Sequence, residues 1–311
     1  MALPQRARAG TVSGPHSISL KVLRLSRPTL AVQTPLLSTA FNNGLDIPAK
    51  ASLAYPSADQ NSTFPLTPLL TLPASFGAAY VGERFTCTLC VNNELLAEDK
   101  AKSVSGLKVS AELQTPTFSD AGVALELKSA LTKKEEDLSP GDTLQYTLSH
   151  ELKEEGPHVL AVTVSYTETS HTAEGGASGG RARTFRKLYQ FVAQPLLAVR
   201  SKITERQRRE KDALRQWILE AQLENVGEVS VVLERVWLKE EDGMKGQDVN
   251  DKEAVVLKPS DVEQVMFLVE EEERLSELSA RVPLGELNVD WRSAMGERGG
   301  LTTGTLSSRP R

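Results

Sequence analysis

Three groups of residues in this 311-residue chain have types and spacing that could do chemistry. Cys87 and Cys90 stand as C-x-x-C, the spacing of redox pairs and zinc ligands. The stretch Val289–Gly304, VDWRSAMGERGGLTTG, sets four glycines and two threonines behind a strand-like Leu287, Val289, Trp291, as a phosphate cradle would. The four histidines, His16, His150, His158 and His171, supply the side chain that titrates nearest neutrality.

Each group weakens on inspection of its surroundings. Phe85, Cys87, Leu89 and Val91 alternate with Arg84, Thr86, Thr88 and Cys90, so the cysteines lie on opposite faces of a strand, ~10 Å apart at the usual rise. A disulfide cannot close that gap. No second C-x-x-C or clustered histidine completes a zinc site, and Cys87 reads as a core residue. In the glycine stretch Leu301, not Lys, precedes Thr302, and Pro310 lies among the seven residues after Gly304, so no long helix stands behind the loop. Gly296 and Gly299 are therefore structural candidates, turn glycines supplying positive backbone angles, and Trp291 and Trp217 are read as inner-face residues of their strands.

His150 and His158 flank one turn and could meet across a hairpin. Their sequence neighbours Glu151, Glu154 and Glu155 alternate faces, and no G-x-S-x-G, H-E-x-x-H or G-x-G-x-x-G accompanies them. The run Glu154-Glu-Gly-Pro-His158-Val-Leu160 instead has the form of the corner before the penultimate strand of immunoglobulin-type domains, with Gly156 in the turn and His158 where a tyrosine is usual. No catalytic residue, cofactor site or metal site is expected, and the chain reads as a non-enzyme.

The elements around these residues have a period of two. Ile18, Leu20 and Val22 alternate with Ser19 and Lys21, after which Leu23 and Leu25 suggest a phase change. Seven of the sixteen prolines fall between Pro28 and Pro73, predicting a long connection with little regular structure over about 28–66. Short alternating runs follow at Leu70, Phe85–Val91, Leu107–Leu113, Val123–Leu127, Leu144–Leu148 and His158–Tyr166. Thr169–Ala182, including EGGASGG, reads as a flexible hairpin tip before Phe185, Tyr189 and Phe191.

After Gln194-Pro195 the pattern restarts: Leu197 and Val199, the charged run Glu205–Asp212, Trp217–Leu223, Val229–Leu233, and Val236 with Leu238 in shifted phase. A polar loop over Glu240–Glu253, a strand over Val262–Val269 and the Leu287–Trp291 run complete the series. Glu270–Arg274 reads as a solvated acidic run that could open a short helix. The expected fold is all-β, two immunoglobulin-like sandwiches in tandem. The expected division is a disordered 1–15, a first sandwich over 16–194, a second over 195–306 and a tail over 307–311.

Composition excludes several classes of function. Hydrophobic residues make up 40% and charged residues 25%, an ordinary globular balance. The net charge of -5 leaves no basic excess for phosphate neutralisation, so nucleic acid is not an expected partner. Of 36 basic and 41 acidic side chains, residues 1–195 hold 18 and 18, leaving 18 and 23 beyond, so the acidic excess belongs to the carboxy-terminal part. Arg6 and Arg8 have no apolar run behind them and no segment reaches membrane-helix length, so a soluble intracellular chain is expected. Asn61-Ser-Thr63 is a glycosylation acceptor only in a secreted chain.

Several strings in fixed order carry a family resemblance: Ser19-Leu-Lys-Val-Leu-Arg-Leu-Ser-Arg-Pro-Thr-Leu30, Leu70-Thr-Leu-Pro-Ala-Ser-Phe-Gly77, Gly82-Glu-Arg-Phe85, His150–Leu160 with Val164-Ser-Tyr166, Phe185–Phe191, and Trp291 followed by Gly296-Glu-Arg-Gly299. Over 17–306 the chain resembles the subunit 13 family of the transport protein particle complex, TRAPP. The resemblance implies a cytosolic, non-catalytic accessory subunit, joined to the large peripheral subunits of a complex whose small core subunits exchange nucleotide on a Rab GTPase. It further implies service in ER-to-Golgi and autophagic traffic, with indirect association to membranes. Family members continue past the G-E-R-G string into a further β domain, which this chain is expected to lack. A free-standing immunoglobulin-like adaptor with other partners is the alternative reading; a hydrolase or nucleotide-binding enzyme ranks behind both.

Overall fold

The computed structural model describes residues 15–32, 66–73, 76–98, 100–118, 122–129, 138–172, 176–207, 213–251, 253–273 and 281–308. Among them every regular element is a strand. The first part of the chain forms β1 (Ile18–Arg24), β2 (Thr29–Val32), β3 (Leu66–Thr71), β4 (Ala78–Tyr80), β5 (Arg84–Asn93), β6 (Lys102–Gln114), β7 (Val123–Leu125), β8 (Lys128–Ser129), β9 (Thr143–Glu151), β10 (Gly156–His171) and β11 (Ala177–Gln194). The remainder forms β12 (Leu197–Glu205), β13 (Gln216–Asn225), β14 (Val231–Glu240), β15 (Met244–Asp248), β16 (Val255–Leu257), β17 (Val262–Glu271), β18 (Pro283–Ser293), β19 (Arg298–Thr302) and β20 (Leu306–Ser307).

Alternation decides how these strands stack, because a strand with one apolar face must bury it against another layer. Sheets β1-β5-β9-β8 and β4-β11-β10-β6-β7 enclose one hydrophobic cluster, and β12-β13-β17-β15 and β16-β14-β18-β19 enclose a second. Phe85, fully buried, stacks on Phe191 across the first cluster with ring centroids 4.7 Å apart and planes 6° from parallel. Cys87 lies in the same layer, and burial raises its thiol pKa to about 12, so it is an inert core group. Trp217 and Trp291 both lie in the second cluster.

Several expectations change. The alternation of β1 does not shift phase: Leu23 is exposed and Arg24 takes the inward position after Ile18, Leu20 and Val22, because a buried carboxylate receives it. The Pro-rich connection contains an antiparallel ribbon, β2 with β3, while 33–65, including Asn61, lies outside the described residues. The anticipated hairpin tip at 169–182 is largely strand, since β10 pairs with β11 out to His171 and Ala177 with Gly179 and Gly180 in the ladder.

The polar loop at 240–253 contains β15, which pairs with β17 and turns Met244 into the core. Glu270 and Glu271 end β17, and Glu271 is buried against Arg215 rather than solvated; residues 274–280 lie outside the described residues, as do 1–14 and 208–212. The phase shift in β14 is present as a register break between Leu233 and Arg235. Pairing runs past residue 306: β20 joins β18, and the Ser308 N–H donates to Val282 O at 2.9 Å.

Phe85→Ala is expected to cost about 3–5 kcal/mol through lost burial and a cavity beside Phe191. Urea unfolding of the full chain checks this; a loss under about 1 kcal/mol would contradict the described core.

Candidate functional site

The residues with unusual chemistry gather where the two pairs of sheets meet. β4 ends at Tyr80, and the chain reverses through Val81 and Gly82 with the Glu83 N–H donating to Tyr80 O at 3.0 Å. Gly82 has φ +84, and a Cβ there would collide with Gly300 O. The turn is pinned on both sides: the Val81 N–H donates to Gln194 O at 2.9 Å and the Gly82 N–H to Leu152 O at 2.6 Å.

Glu83 is 1% exposed, so its carboxylate needs internal partners. One oxygen accepts from Arg24 at 2.8 Å; the other accepts from Arg27 Nε at 3.1 Å and from the Tyr80 N–H at 2.9 Å. Arg24 also donates to Ser26 Oγ and to the carbonyl of Phe76, which occupies the rest of its guanidinium. Burial lowers the Arg24 pKa despite the carboxylate beside it.

Arg27 lies 3.7 Å above the Tyr80 ring, and that ring is packed into the second cluster, where its hydroxyl accepts from the Glu228 N–H at 3.0 Å.

From the other side comes the β18–β19 turn. Gly296 has φ +91 and its N–H donates to Ser293 O. Gly299 serves differently from the expectation: its φ is not positive, and what excludes a side chain is the Trp291 ring and Gly82 O, both inside contact distance of a Cβ. The Gly300 N–H donates to Gly82 O at 3.1 Å, and Glu83 bridges Gly299 in antiparallel sense. The turn therefore lays itself along the outer edge of β19, and the strings Gly82-Glu-Arg and Gly296-Glu-Arg-Gly, far apart in sequence, meet here. The Gly296 and Gly300 N–H groups, which a phosphate cradle would need free, are spent on these bonds.

A cleft of about 920 Å³ lies beside the joint, with Leu25, Arg84 and Glu151 on one wall and Asp290, Met295 and Arg298 on the other. It mixes charges of both signs. Among the described residues no group of three or more His, Cys, Asp and Glu side chains is placed to hold a metal ion.

His158 and His150 line a separate cleft of about 520 Å³. The buried His158 donates from Nδ1 to Gly156 O at 3.0 Å and its ring lies over Phe191, while Gly156 has φ +118. The Glu154 carboxylate, in the same cleft, accepts from Thr115 Oγ1 and the Thr117 N–H just past β6 and is hydrogen-bonded to neither histidine. His16 accepts or donates at Tyr166 Oη, 3.0 Å away, and His171 at Ser103 Oγ, 2.8 Å away, so the histidines are dispersed. Trp217 sits apart in the second core with Arg215 over its ring at 5.4 Å.

The family model for Trafficking protein particle complex subunit 13, N-terminal, matches residues 16–193, and that for its middle domain matches 197–310. The chain belongs to the trafficking protein particle complex subunit 13 family. The subunit 13 protein of Xenopus tropicalis is 28% identical over 307 residues, covering 94% of this chain and 68% of that one. That of Rattus norvegicus is 27% identical, covering 94% and 69%. The probable homologue of Caenorhabditis elegans is 28% identical over 306 residues, covering 94% and 69%.

Among solved structures, the secreted serine protease VesC from Vibrio cholerae overlays with a TM-score of 0.22 at 11% identity, over 76% of this chain and 49% of that one, a likeness that carries no argument.

Within this subunit 13 family chain, the quoted strings had pointed to Gly82, Gly296, Gly299 and Trp291 without saying that they touch. Arg24, Glu83 and Tyr80 were missed as a group. The available signal was Arg24 itself, which continues the inward phase of β1.

Gly299→Ala is expected to cost about 1–3 kcal/mol by overpacking against Trp291, read as a lower melting temperature; an unchanged melt would contradict the joint. For pH, burial, followed by the charge of His158, lowers the His150 pKa below the ordinary imidazole value of 6.5. A depressed folded pKa contributes stability that is full above the unfolded value and is lost as pH falls below about 6.5 toward the folded value. Melting temperature should therefore fall between about pH 7.5 and 5.5, and His150→Gln should flatten that slope.

Proposed function

We propose that this chain is a non-catalytic scaffold subunit of a TRAPP vesicle-tethering complex, the complex that exchanges nucleotide on a Rab GTPase in ER-to-Golgi traffic and autophagy. The observation that carries the reading is that two consecutive family models span both pairs of sheets and their joint. In this role the chain contacts other subunits, especially the large peripheral ones, and reaches the Rab protein and the ER–Golgi membranes through them. It works in the cytoplasm and uses no cofactor.

The architecture that suits this role is two immunoglobulin-like sandwiches, 16–194 and 195–306. Strand order supports it: with strands named A to G along the chain, each half has an A-B-E-D sheet (β1-β5-β9-β8; β12-β13-β17-β15) facing a sheet containing C-F-G (β6-β10-β11; β14-β18-β19). Such sandwiches offer loops and strand edges to partners.

Affinity purification of the tagged full chain from its own cells, followed by mass spectrometry, tests the reading. Recovery of the large peripheral subunits is the expected result. Absence of every other complex subunit would overturn it and leave the free-standing adaptor.

A further inference from the structure

Both sheets of the carboxy-terminal pair leave an edge open on the same flank. β14 pairs with β16 only at Val231–Leu233, and β17 pairs with β15 only at Phe267–Glu271. Beyond those points β14 from Glu234 and β17 from Val262 to Met266 are paired with no strand on this flank among the described residues, although β15 packs near the end of β14, where the Gly246 N–H donates to Glu240 Oε1 at 3.1 Å. Asp248, Val249, Asn250, Asp251 and Glu253 line one side of a groove of about 880 Å³ in this gap.

One backbone feature shows what the edge accepts. The Met266 N–H points into the flank and donates to Asn250 Oδ1 at 2.6 Å, so a side-chain amide stands where the carbonyl of a neighbouring strand would be. Main-chain groups two residues apart point the same way in an antiparallel strand, which aims those of Gln264 and Val262 at the same flank.

The groove's side chains define the chemistry of an occupant. Its apolar surface includes Val249, 45% exposed, Met266, 41% exposed, and Trp237. Five carboxylates border it: Glu234, Asp248, Asp251, Glu253 and Glu263. Glu234 is held by Arg292 at 2.7 Å and Arg298 at 3.3 Å. The other four outnumber the one cation among the described lining residues, Arg235, which lies over the Trp237 ring at 4.5 Å. This sign repels lipid phosphates and nucleic acid and favours a cationic protein segment.

We propose that this groove binds an extended basic segment of a partner protein, Lys or Arg alternating with aliphatic residues, as a strand added along Val262–Gln264 of β17. Alternate residues then face the apolar surface and the carboxylates in turn, while the backbone bonds to the open edge. The groove's chemistry holds whichever complex the chain joins.

The test uses the full chain and fluorescence anisotropy of labelled peptides: an alternating Lys-Val peptide, an alternating Glu-Val peptide, and the Lys-Val peptide with alternate backbone amides methylated. The plain basic peptide should bind saturably, at least about tenfold tighter than either of the others, and more weakly at high salt. The double variant Asp251→Lys with Glu253→Lys should lose about tenfold or more, whereas Glu241→Lys with Asp242→Lys, the same charge change at the exposed turn before β15, should lose little. No binding of the basic peptide, equal binding of the methylated or acidic peptide, or equal loss in both double variants would overturn the proposal. Unchanged melting temperatures of the variants exclude misfolding as the cause.

Discussion

A carboxylate taken out of water must be met by charge and hydrogen bonds at fixed positions, and Glu83 imposes that constraint on this chain. To satisfy it, Arg24 of β1, Arg27 of the following segment and the Tyr80 amide converge on one turn. The turn so fixed then points Gly82 at the edge of β19 and Tyr80 into the second core. A buried ion pair adds little net stability of its own against an apolar replacement, so its value lies in geometry: the turn is held in the orientation that brings these donors to the carboxylate.

Two consequences follow for assembly. Contact between Gly82 and Gly299 needs bare backbone on both sides, so the joint admits little sliding, and the amino-terminal sheets and the carboxy-terminal sheets hold a defined relation. The joint also covers β19, an edge that would otherwise invite non-specific pairing. Edge coverage elsewhere is uneven, and the flank between β14 and β17 stays open with a bias in charge. Such differences among its edges offer this chain a means of distinguishing partners.

Ion pairs recur where chain segments enter the fold. Glu168 receives Ser17 Oγ at 2.7 Å and Arg183 at 3.1 Å, tying the start of β1 to β10 and β11. Burial raises the pKa of this carboxyl, but the bonds from Ser17, Lys102 and Arg183 outweigh it and hold the pKa below the usual range. Glu271 plays the matching part for β13: its side chain receives the Arg215 N–H at 3.0 Å and the Arg215 Nε at 2.5 Å. Charged residues here mark entry points, which composition alone reads as solvated surface.

Local pattern determined that the chain is all-β, which side chains of β5, β10, β13 and β18 face inward, and that Cys87 and Cys90 form no disulfide, because strand geometry fixes the face and spacing of every second residue. It also located the break in β14, where the apolar phase visibly slips. It misplaced Arg24, Glu271 and β15, since the burial of a charged or polar segment depends on partners that lie far away in the chain. Most of the joint was legible only as separate strings; that Gly299 is needed for approach rather than for backbone angle was not legible at all. Tertiary structure decided those matters because only packing reveals that the space for a Cβ is already taken by Trp291 and Gly82.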